Sequence, residues 1–288
     1  MAWTLSGFAD EAGNSCDEQI CALEAAGITA VDMRKIDGHR IDNLPVEKAR
    51  DIRKKLDAAK ITVAYFGSPI GKADIADDFE VELAKLRHLG SLKDVLGCRA
   101  VRIFSYFNKN GASPQEWQKQ SLDRLKRLRD LAGQLGLVLW HENERHIFGD
   151  RCEQVQVLAR ELRDGKTFKL IYDFDNFHQS GDDNWDNWQK LKGATDAFHL
   201  KDSDAKNQHV PVGAGAGKVK QILTDALKSG WTGPLSLEPH LSHSGAVADT
   251  GPHGQANQAY ASKTPAECFQ IAADAAKKLL KEIGAKVA

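Results

Sequence analysis

Paired cysteines and long apolar runs are both missing from this 288-residue sequence. Its five cysteines are scattered and include no CxxC pair, which argues against a disulfide framework or a structural zinc site and is typical of a reducing compartment. No stretch reaches the roughly 18 apolar residues of a membrane-spanning helix. Asp10 interrupts the start of the chain, where a signal peptide would be apolar. We therefore expect a cytoplasmic protein with no membrane partner.

An excess of either charge is missing as well. Lys and Arg number 39 against 40 Asp and Glu, which gives a net charge of −1. A nucleic-acid-binding protein usually presents a basic face. The densest basic run here, residues 119–129, alternates with leucine at helical spacing, and we interpret it as the solvated face of a helix. We expect no nucleic-acid partner.

Short apolar runs alternate with longer amphipathic segments along the whole chain. The eight predicted strands are residues 3–8, 30–33, 61–66, 100–104, 137–142, 168–173, 197–201 and 233–238. The predicted helices are residues 17–26, 46–59, 79–96, 114–135, 152–162, 185–191, 219–228 and 265–283. Eight strand-then-helix units predict a parallel sheet, and eight strands close a barrel. We expect an α/β protein, a (β/α)8 TIM barrel that forms a single domain over residues 1–288. A doubly wound open sheet is the structural alternative.

Acids and histidines recur at the ends of the last four predicted strands. The four strand ends are Leu139-Trp140-His141-Glu142-Asn143-Glu144, Ile171-Tyr172-Asp173-Phe174-Asp175-Asn176-Phe177-His178, Phe198-His199-Leu200-Lys201-Asp202 and Leu235-Ser236-Leu237-Glu238-Pro239-His240. A carboxylate at the end of an apolar strand is costly unless its charge is compensated. Any single acid could equally cap the helix that follows. In a barrel, however, the four strand ends meet on one rim, where a divalent cation would satisfy three carboxylates and an imidazole together.

Seven motifs together resemble a known family. In chain order they are Gly7-Phe8-Ala9-Asp10-Glu11, Gly67-Ser68-Pro69-Ile70-Gly71-Lys72, Val101-Arg102-Ile103-Phe104-Ser105, His141-Glu142-Asn143-Glu144, Tyr172-Asp173, His199-Leu200-Lys201-Asp202 and Leu237-Glu238-Pro239-His240. This ordered set covers nearly the whole chain. It resembles the xylose isomerase-like barrels, which include sugar-phosphate isomerases, D-tagatose 3-epimerase and the dehydratases of myo-inositol catabolism.

The resemblance implies one divalent metal ion held by Glu142, Asp173, His199 and Glu238. Asp173 matches the family form in which an asparagine follows three residues later, and Asp175 matches the form in which a histidine, here His178, does so. We prefer Asp173 because it directly ends the apolar run. Three carboxylates and one histidine favour Mn²⁺ or Mg²⁺, with Zn²⁺ or Co²⁺ as alternatives.

The resemblance also implies a sugar or sugar-phosphate isomerase or epimerase. In the family, two glutamates, here Glu142 and Glu238, lie on opposite faces of the sugar and move a proton at the carbon beside a metal-polarised carbonyl. A lyase acting on a keto-inositol or dehydroshikimate begins with the same proton abstraction and stays an alternative. A non-catalytic sugar-binding barrel is a further alternative. The neutral charge counts against the DNA-binding endonuclease branch. The expected partner is a small sugar, and a homo-oligomer is left open.

Four more side chains are candidate substrate contacts: Glu144, His178, Lys201 and His240. Side chains two residues apart on a strand face the same way, which aligns Lys201 with His199 and His240 with Glu238. It also aligns Glu144 with Glu142 if that strand continues. A salt bridge on the rim is the alternative role for Lys201. Loop histidines such as His178, His243 and His253 could line the pocket or be merely solvated.

A glycine-rich run at residues 213–217, just before a predicted helix, resembles a phosphate cradle. A flexible loop explains the same run equally well. The sequence therefore does not separate phosphorylated from free sugars. Three other histidines, His39, His88 and His209, receive no functional interpretation.

Overall fold

A computed structural model describes residues 2–248 and 257–287. Eight short parallel strands form its inner wall, and the first strand pairs with both the second and the eighth, so the sheet closes on itself. The chain is therefore a (β/α)8 TIM barrel, as predicted, and the open-sheet alternative is wrong. The strands are β1 (Thr4–Gly7), β2 (Ala30–Met33), β3 (Thr62–Phe66), β4 (Ala100–Ile103), β5 (Val138–Glu142), β6 (Phe168–Asp173), β7 (Ala197–Leu200) and β8 (Pro234–Leu237).

Helices surround the strands. In the described part of the chain they are α1 (Cys16–Ala25), α2 (Val46–Ala58), α3 (Phe79–Leu96), α4 (Pro114–Leu135), α5 (Cys152–Leu162), α6 (Phe174–Gln179), α7 (Asn184–Leu191), α8 (Val219–Lys228), α9 (Gly245–Ala248) and α10 (Pro265–Glu282). Eight of them match the predicted helices, and α6 and α9 are additional. None of the described helices is both long enough and apolar enough to cross a membrane.

Local signals in the sequence set the helix ends. At the start of α4 the Ser113 hydroxyl accepts a hydrogen bond from the Glu116 amide, and Pro114 stands in the first turn, where its missing amide costs nothing. The helix ends at Gly136, whose φ of 68° is the left-handed conformation that glycine adopts most easily. These caps determine where the chain leaves the helix and enters β5.

The two ends of the barrel differ in chemistry. At the amino-terminal end, Trp3 packs edge-on against Trp231 with ring centroids 5.3 Å apart, and its indole nitrogen donates to the Trp231 carbonyl. The carboxyl-terminal end instead collects buried polar side chains. Two short hairpins extend this end: Lys35–Ile36 pairs with His39–Arg40, and Asp202–Ser203 pairs with His209–Val210.

Candidate active site and metal centre

Glu142, Asp173, His199 and Glu238 converge at the carboxyl ends of β5 to β8. One potential ligand atom from each lies within 4.8 Å of all the others. His199 Nδ1 lies 3.1 Å from Glu142 Oε1, 3.0 Å from Glu238 Oε2 and 3.8 Å from Asp173 Oδ2. All four side chains are buried. The structure thus brings together the four residues that the sequence analysis assigned to a metal ion; we call them the carboxylate–histidine cluster.

The two aspartates that follow the apolar part of β6 point to different places. Asp173 Oδ2 faces the cluster, is buried and accepts no hydrogen bond from any described residue; Lys201 Nζ lies 3.1 Å away. Asp175, on α6, instead faces His209, whose Nε2 lies 3.0 Å from Asp175 Oδ2. The geometry therefore favours Asp173 over Asp175 as a member of the cluster.

The donor set suits a hard divalent ion. Three carboxylates and one imidazole converge, and oxygen donors of this kind are the ligands that such ions prefer. Asn143 steadies Asp173, because its side chain donates to the Asp173 carbonyl and accepts from the Asp173 amide at 3.0 Å and 2.7 Å. These residues fit a metal such as Mn²⁺ or Mg²⁺.

The second ring nitrogen of His199 contacts a residue that the sequence analysis missed. The Tyr65 hydroxyl lies 2.5 Å from His199 Nε2, and the two rings stack with centroids 5.9 Å apart. For Nδ1 to offer a lone pair to a metal, the proton of the neutral ring must be on Nε2, and the Tyr65 oxygen accepts it there. Tyr65 is thus placed to stabilise, as an acceptor, the tautomer that a ligand at Nδ1 requires.

Two arginines lie against the glutamates of the cluster. Arg102 Nη1 is 3.2 Å from both Glu142 Oε2 and Glu238 Oε1, and Arg34 Nη1 is 3.0 Å from the same Glu238 oxygen. Arg102 stands alone within the apolar run of β4, which was a usable signal. Arg34 follows β2 directly, and only the barrel geometry brings it to Glu238.

The charges around the cluster shift its pKa values. Burial alone would raise the pKa of Glu142, but His199 and Arg102 outweigh it and lower this pKa to about 2. Burial likewise opposes the charge of Glu238, yet Lys201 and His199 lower its pKa well below the usual range. Burial disfavours the charged form of His199, but Glu142 and Glu238 raise its pKa to about 10. A metal ion at Nδ1 would have to displace that proton.

A second group of possible ligands, Glu11, Glu238 and His240, also lies within 4.8 Å. Arg34 already neutralises it, because its guanidinium nitrogens lie 3.3 Å from Glu11 Oε1 and 3.0 Å from Glu238 Oε1. Burial raises the pKa of Glu11 to about 8, even though Arg34 works in the opposite direction.

The four predicted substrate contacts divide into two pairs. Lys201 and His240 are buried beside the cluster, with Lys201 Nζ 3.0 Å from the Asn176 amide oxygen and His240 Nε2 3.6 Å from Glu238 Oε1. The other two make their polar contacts with residues outside it. Glu144 pairs with Lys72 at 2.6 Å, and His178 Nε2 lies 3.3 Å from the Asp204 carbonyl.

Two loop histidines remain from the sequence analysis. His243 Nε2 lies 3.4 Å from the carbonyl oxygen of Asn257. His253 lies outside the described residues.

An internal carboxylate fills the glycine loop at residues 213–217. Asp202 Oδ2 accepts the amides of Gly213 and Gly215 at 2.9 Å and 3.1 Å, and its Oδ1 accepts that of Gly217 at 3.0 Å. A phosphate cradle would use the same three donors. The loop therefore serves to anchor β7, and it is not free to hold a phosphate group.

Comparisons with known proteins agree with this architecture. L-ribulose 3-epimerase superposes with a TM-score of 0.74 at 16% identity, covering 99% of this chain and 96% of that one. The probable 3-DHS dehydratase AsbF of Bacillus anthracis gives a TM-score of 0.72 at 16% identity, with 96% and 99% covered. A TIM barrel protein of Mycobacterium smegmatis in complex with magnesium gives 0.69 at 14% identity, with 98% of each chain covered.

At such identities these likenesses show a shared fold and no more. No curated protein sequence matches the chain significantly. The family model described as xylose isomerase-like TIM barrel matches residues 20–262, which is most of the sequence. The chain therefore belongs to the xylose isomerase-like TIM barrel family.

Proposed function

We propose that the protein is a divalent-metal-dependent isomerase or epimerase of a sugar or sugar phosphate. One observation carries the proposal. Glu142 and Glu238 each place one carboxylate oxygen near His199 Nδ1 and the other 3.2 Å from Arg102 Nη1. Two glutamates thus face a common centre from β5 and β8, which is the arrangement that proton transfer on two faces of a substrate needs.

Both glutamates are ionised at neutral pH, because the surrounding cations lower their pKa values. One carboxylate would remove the proton from the carbon beside the substrate carbonyl, and the other would return a proton. A positioned base contributes about 10²–10⁴-fold to the rate of such a step. When bound, the divalent ion would polarise the carbonyl and stabilise the negative charge that develops. Lys201, whose Nζ lies 3.1 Å from Asp173 Oδ2, would donate to a substrate oxygen.

The hard oxygen donors of the cluster support Mn²⁺ or Mg²⁺ as the ion. The structural likeness to an epimerase supports the reaction class, and the likeness to a magnesium complex supports the ion. A dehydratase shares the first proton abstraction and differs only in what happens to the resulting enolate.

The test is deuterium exchange at the carbon beside the carbonyl. Manganese-loaded protein is incubated in D₂O with L-ribulose and, separately, with 3-DHS, and the substrate is followed by NMR. We expect deuterium at that carbon, and no deuterium in the Glu142→Gln and Glu238→Gln variants. The exposed Glu47 provides a matched control, and Glu47→Gln should exchange like the wild type. Manganese content is measured for every variant, so that loss of the ion is distinguished from loss of the base.

Two outcomes would overturn the proposal and point to a different mechanism or function. Turnover without any exchange would indicate a hydride shift between carbons. Binding of several sugars with no turnover would make the protein a sugar-binding barrel.

A further inference from the structure

A cleft of about 500 Å³ opens at the carboxyl-terminal end of the barrel, next to the carboxylate–histidine cluster. Three stretches of chain form its walls: the loop between β5 and α5, the end of α6, and the tip of the hairpin after β7. All of its described lining residues are polar or charged. The proposed proton transfer uses none of them.

Positive charge predominates in the described lining. Arg145, Arg151 and Lys206 contribute three cations, against the carboxylate of Asp150. Arg151 is already paired, because its Nη1 lies 2.8 Å from Asp182 Oδ1. Among the described residues, neither Arg145 nor Lys206 forms a salt bridge. Two cations in one cleft without salt-bridge partners indicate a position for an anion.

Arg145 carries a donor that the protein leaves unused. Its Nε atom is buried and makes no hydrogen bond to any described residue. A buried donor without an acceptor is unfavourable unless a ligand or water supplies one. The planar guanidinium group suits an anion with several oxygens, because it can donate two parallel hydrogen bonds to it.

Hydrogen bonds within and between the walls hold the cleft in shape. Asp150 Oδ2 accepts the His146 amide at 3.0 Å, and its Oδ1 accepts the Ser180 hydroxyl, which joins the first wall to the second. At the hairpin tip, Asp204 Oδ1 accepts the Lys206 amide at 2.8 Å. Both oxygens of Asp150 are thus engaged by donors of the protein, while the cations remain for a ligand.

The cleft lies within reach of the cluster. Arg145 follows Glu142 by three residues, so their Cα atoms are at most about 11 Å apart, a span comparable with the length of an extended sugar phosphate. Gln179, in the second wall, donates to Asp175 Oδ2 at 2.6 Å. The glycine loop, the other candidate for a phosphate site, is occupied by Asp202. A substrate whose carbonyl lies at the cluster would therefore extend its far end into the cleft.

We propose that Arg145 and Lys206 bind the terminal phosphate group of the substrate. This inference rests on the proposed function and narrows the substrate class to a phosphorylated sugar. A phosphate monoester carries a charge of about −1.5 to −2 at neutral pH, which two cations without salt-bridge partners match. A free sugar carries no charge and would leave both cations without a counter-ion.

The first experiment measures binding without any reaction. Magnesium-loaded protein is titrated calorimetrically with glycerol 3-phosphate, glycerate and glycerol, which differ in one terminal group. We expect glycerol 3-phosphate to bind best, and Arg145→Gln and Lys206→Gln each to weaken it about 10–100-fold. Lys206→Arg keeps the charge and should retain most of the affinity. Arg50→Gln, exposed on α2 where Arg50 pairs with Glu47, is the matched control and should bind like the wild type.

Two results would overturn the phosphate site. One is tighter binding of glycerate than of glycerol 3-phosphate. The other is equal binding of glycerol 3-phosphate by the wild type and by both glutamine variants, as expected for a phosphate held at the metal ion instead. Urea unfolding of each variant, with a midpoint equal to that of the wild type, distinguishes loss of binding from loss of fold. Lys206 is exposed, so its replacement leaves the core intact.

The second experiment tests whether the substrate uses the site. Deuterium exchange is measured with L-ribulose 5-phosphate and with L-ribulose. We expect kcat/KM for exchange to be about 10–100-fold higher with the phosphate, and Arg145→Gln to remove this preference mainly by raising KM. Equal kcat/KM for the two sugars in the wild type overturns this inference and leaves the proposed function standing. Exchange with neither sugar overturns the proposed function, and the titration with glycerol 3-phosphate then decides on the anion site by itself.

Discussion

The Tyr65 hydroxyl lies 2.5 Å from Nε2 of His199, on the opposite side of the ring from the three carboxylates. Because the Tyr65 oxygen can accept the Nε2 proton of the tautomer with a free Nδ1 lone pair, loss of this contact should weaken metal binding. We expect Tyr65→Phe to lower Mn²⁺ affinity about 10–100-fold, measured by titration calorimetry. The Tyr106 hydroxyl is buried without a hydrogen bond to any described residue, so Tyr106→Phe is the control and should bind Mn²⁺ normally. Equal affinities of wild type and Tyr65→Phe would contradict this role of Tyr65.

Asp173 and Asp175 point to different places, so replacing each by asparagine should have unequal effects on metal binding. Asp173→Asn removes a charge from the cluster and should lower Mn²⁺ content far more than Asp175→Asn, whose carboxylate faces His209. Metal analysis after dialysis against a fixed free Mn²⁺ concentration measures both. Equal losses, or the reverse order, would show that Asp175 is the ligand from this part of the chain.

Glu11 predicts how the stability of the metal-free protein depends on pH. Burial raises its pKa from 4.5 to about 8 in the folded state. The folded state therefore holds a proton that the unfolded state releases, so wild-type stability falls relative to a neutral variant as pH rises from about 4.5 to about 8. Urea unfolding in the presence of a chelator should show Glu11→Gln gaining stability over wild type across this range. A constant difference between the two proteins would indicate that Glu11 is ionised throughout.

The glycine loop packs closely around Asp202, so adding a side chain to the loop should destabilise the protein. A Cβ atom at Gly215 would lie 2.3 Å from Asp202 Oδ1 and 2.4 Å from the Ser203 carbonyl oxygen. Gly215→Ala should therefore destabilise the protein by about 1–3 kcal/mol, measured by urea unfolding. At Gly193 a Cβ atom would meet no described atom within 4 Å, so Gly193→Ala is the control and should cost little. Similar effects of both substitutions would mean that the loop relaxes freely.

The barrel could be predicted from the sequence because its periodicities are local. Each strand core was found within one or two residues, and capping residues such as Ser113 and Gly136 marked the helix ends. The short helix α6 was not predicted, since six residues are too few to show an amphipathic period. The hairpin after β7 was also missed, because its pairing depends on contacts rather than on a strong strand pattern.

The predicted part of the candidate site consists of residues at strand ends. Several acids and histidines lie there, and the family resemblance identified Glu142, Asp173, His199 and Glu238 among them. Tyr65 was hidden because a tyrosine in an apolar strand looks like core until its hydroxyl is seen against His199. His209 was overlooked because it follows a polar loop, and only the fold brings it to Asp175. Such pairings join positions far apart in sequence, so no local pattern reports them.

Arg34 and Arg102 have a consequence for how the protein would hold a metal ion. They are counter-ions attached to the chain itself, and they keep Glu142 and Glu238 in place whether or not a metal is bound. Folding therefore need not wait for the metal, in contrast to a zinc finger. The positive charges of the same two guanidinium groups weaken the attraction between the glutamates and a divalent cation. The ion should therefore bind weakly and reversibly. The fraction of protein molecules that carry it would rise and fall with the free metal concentration.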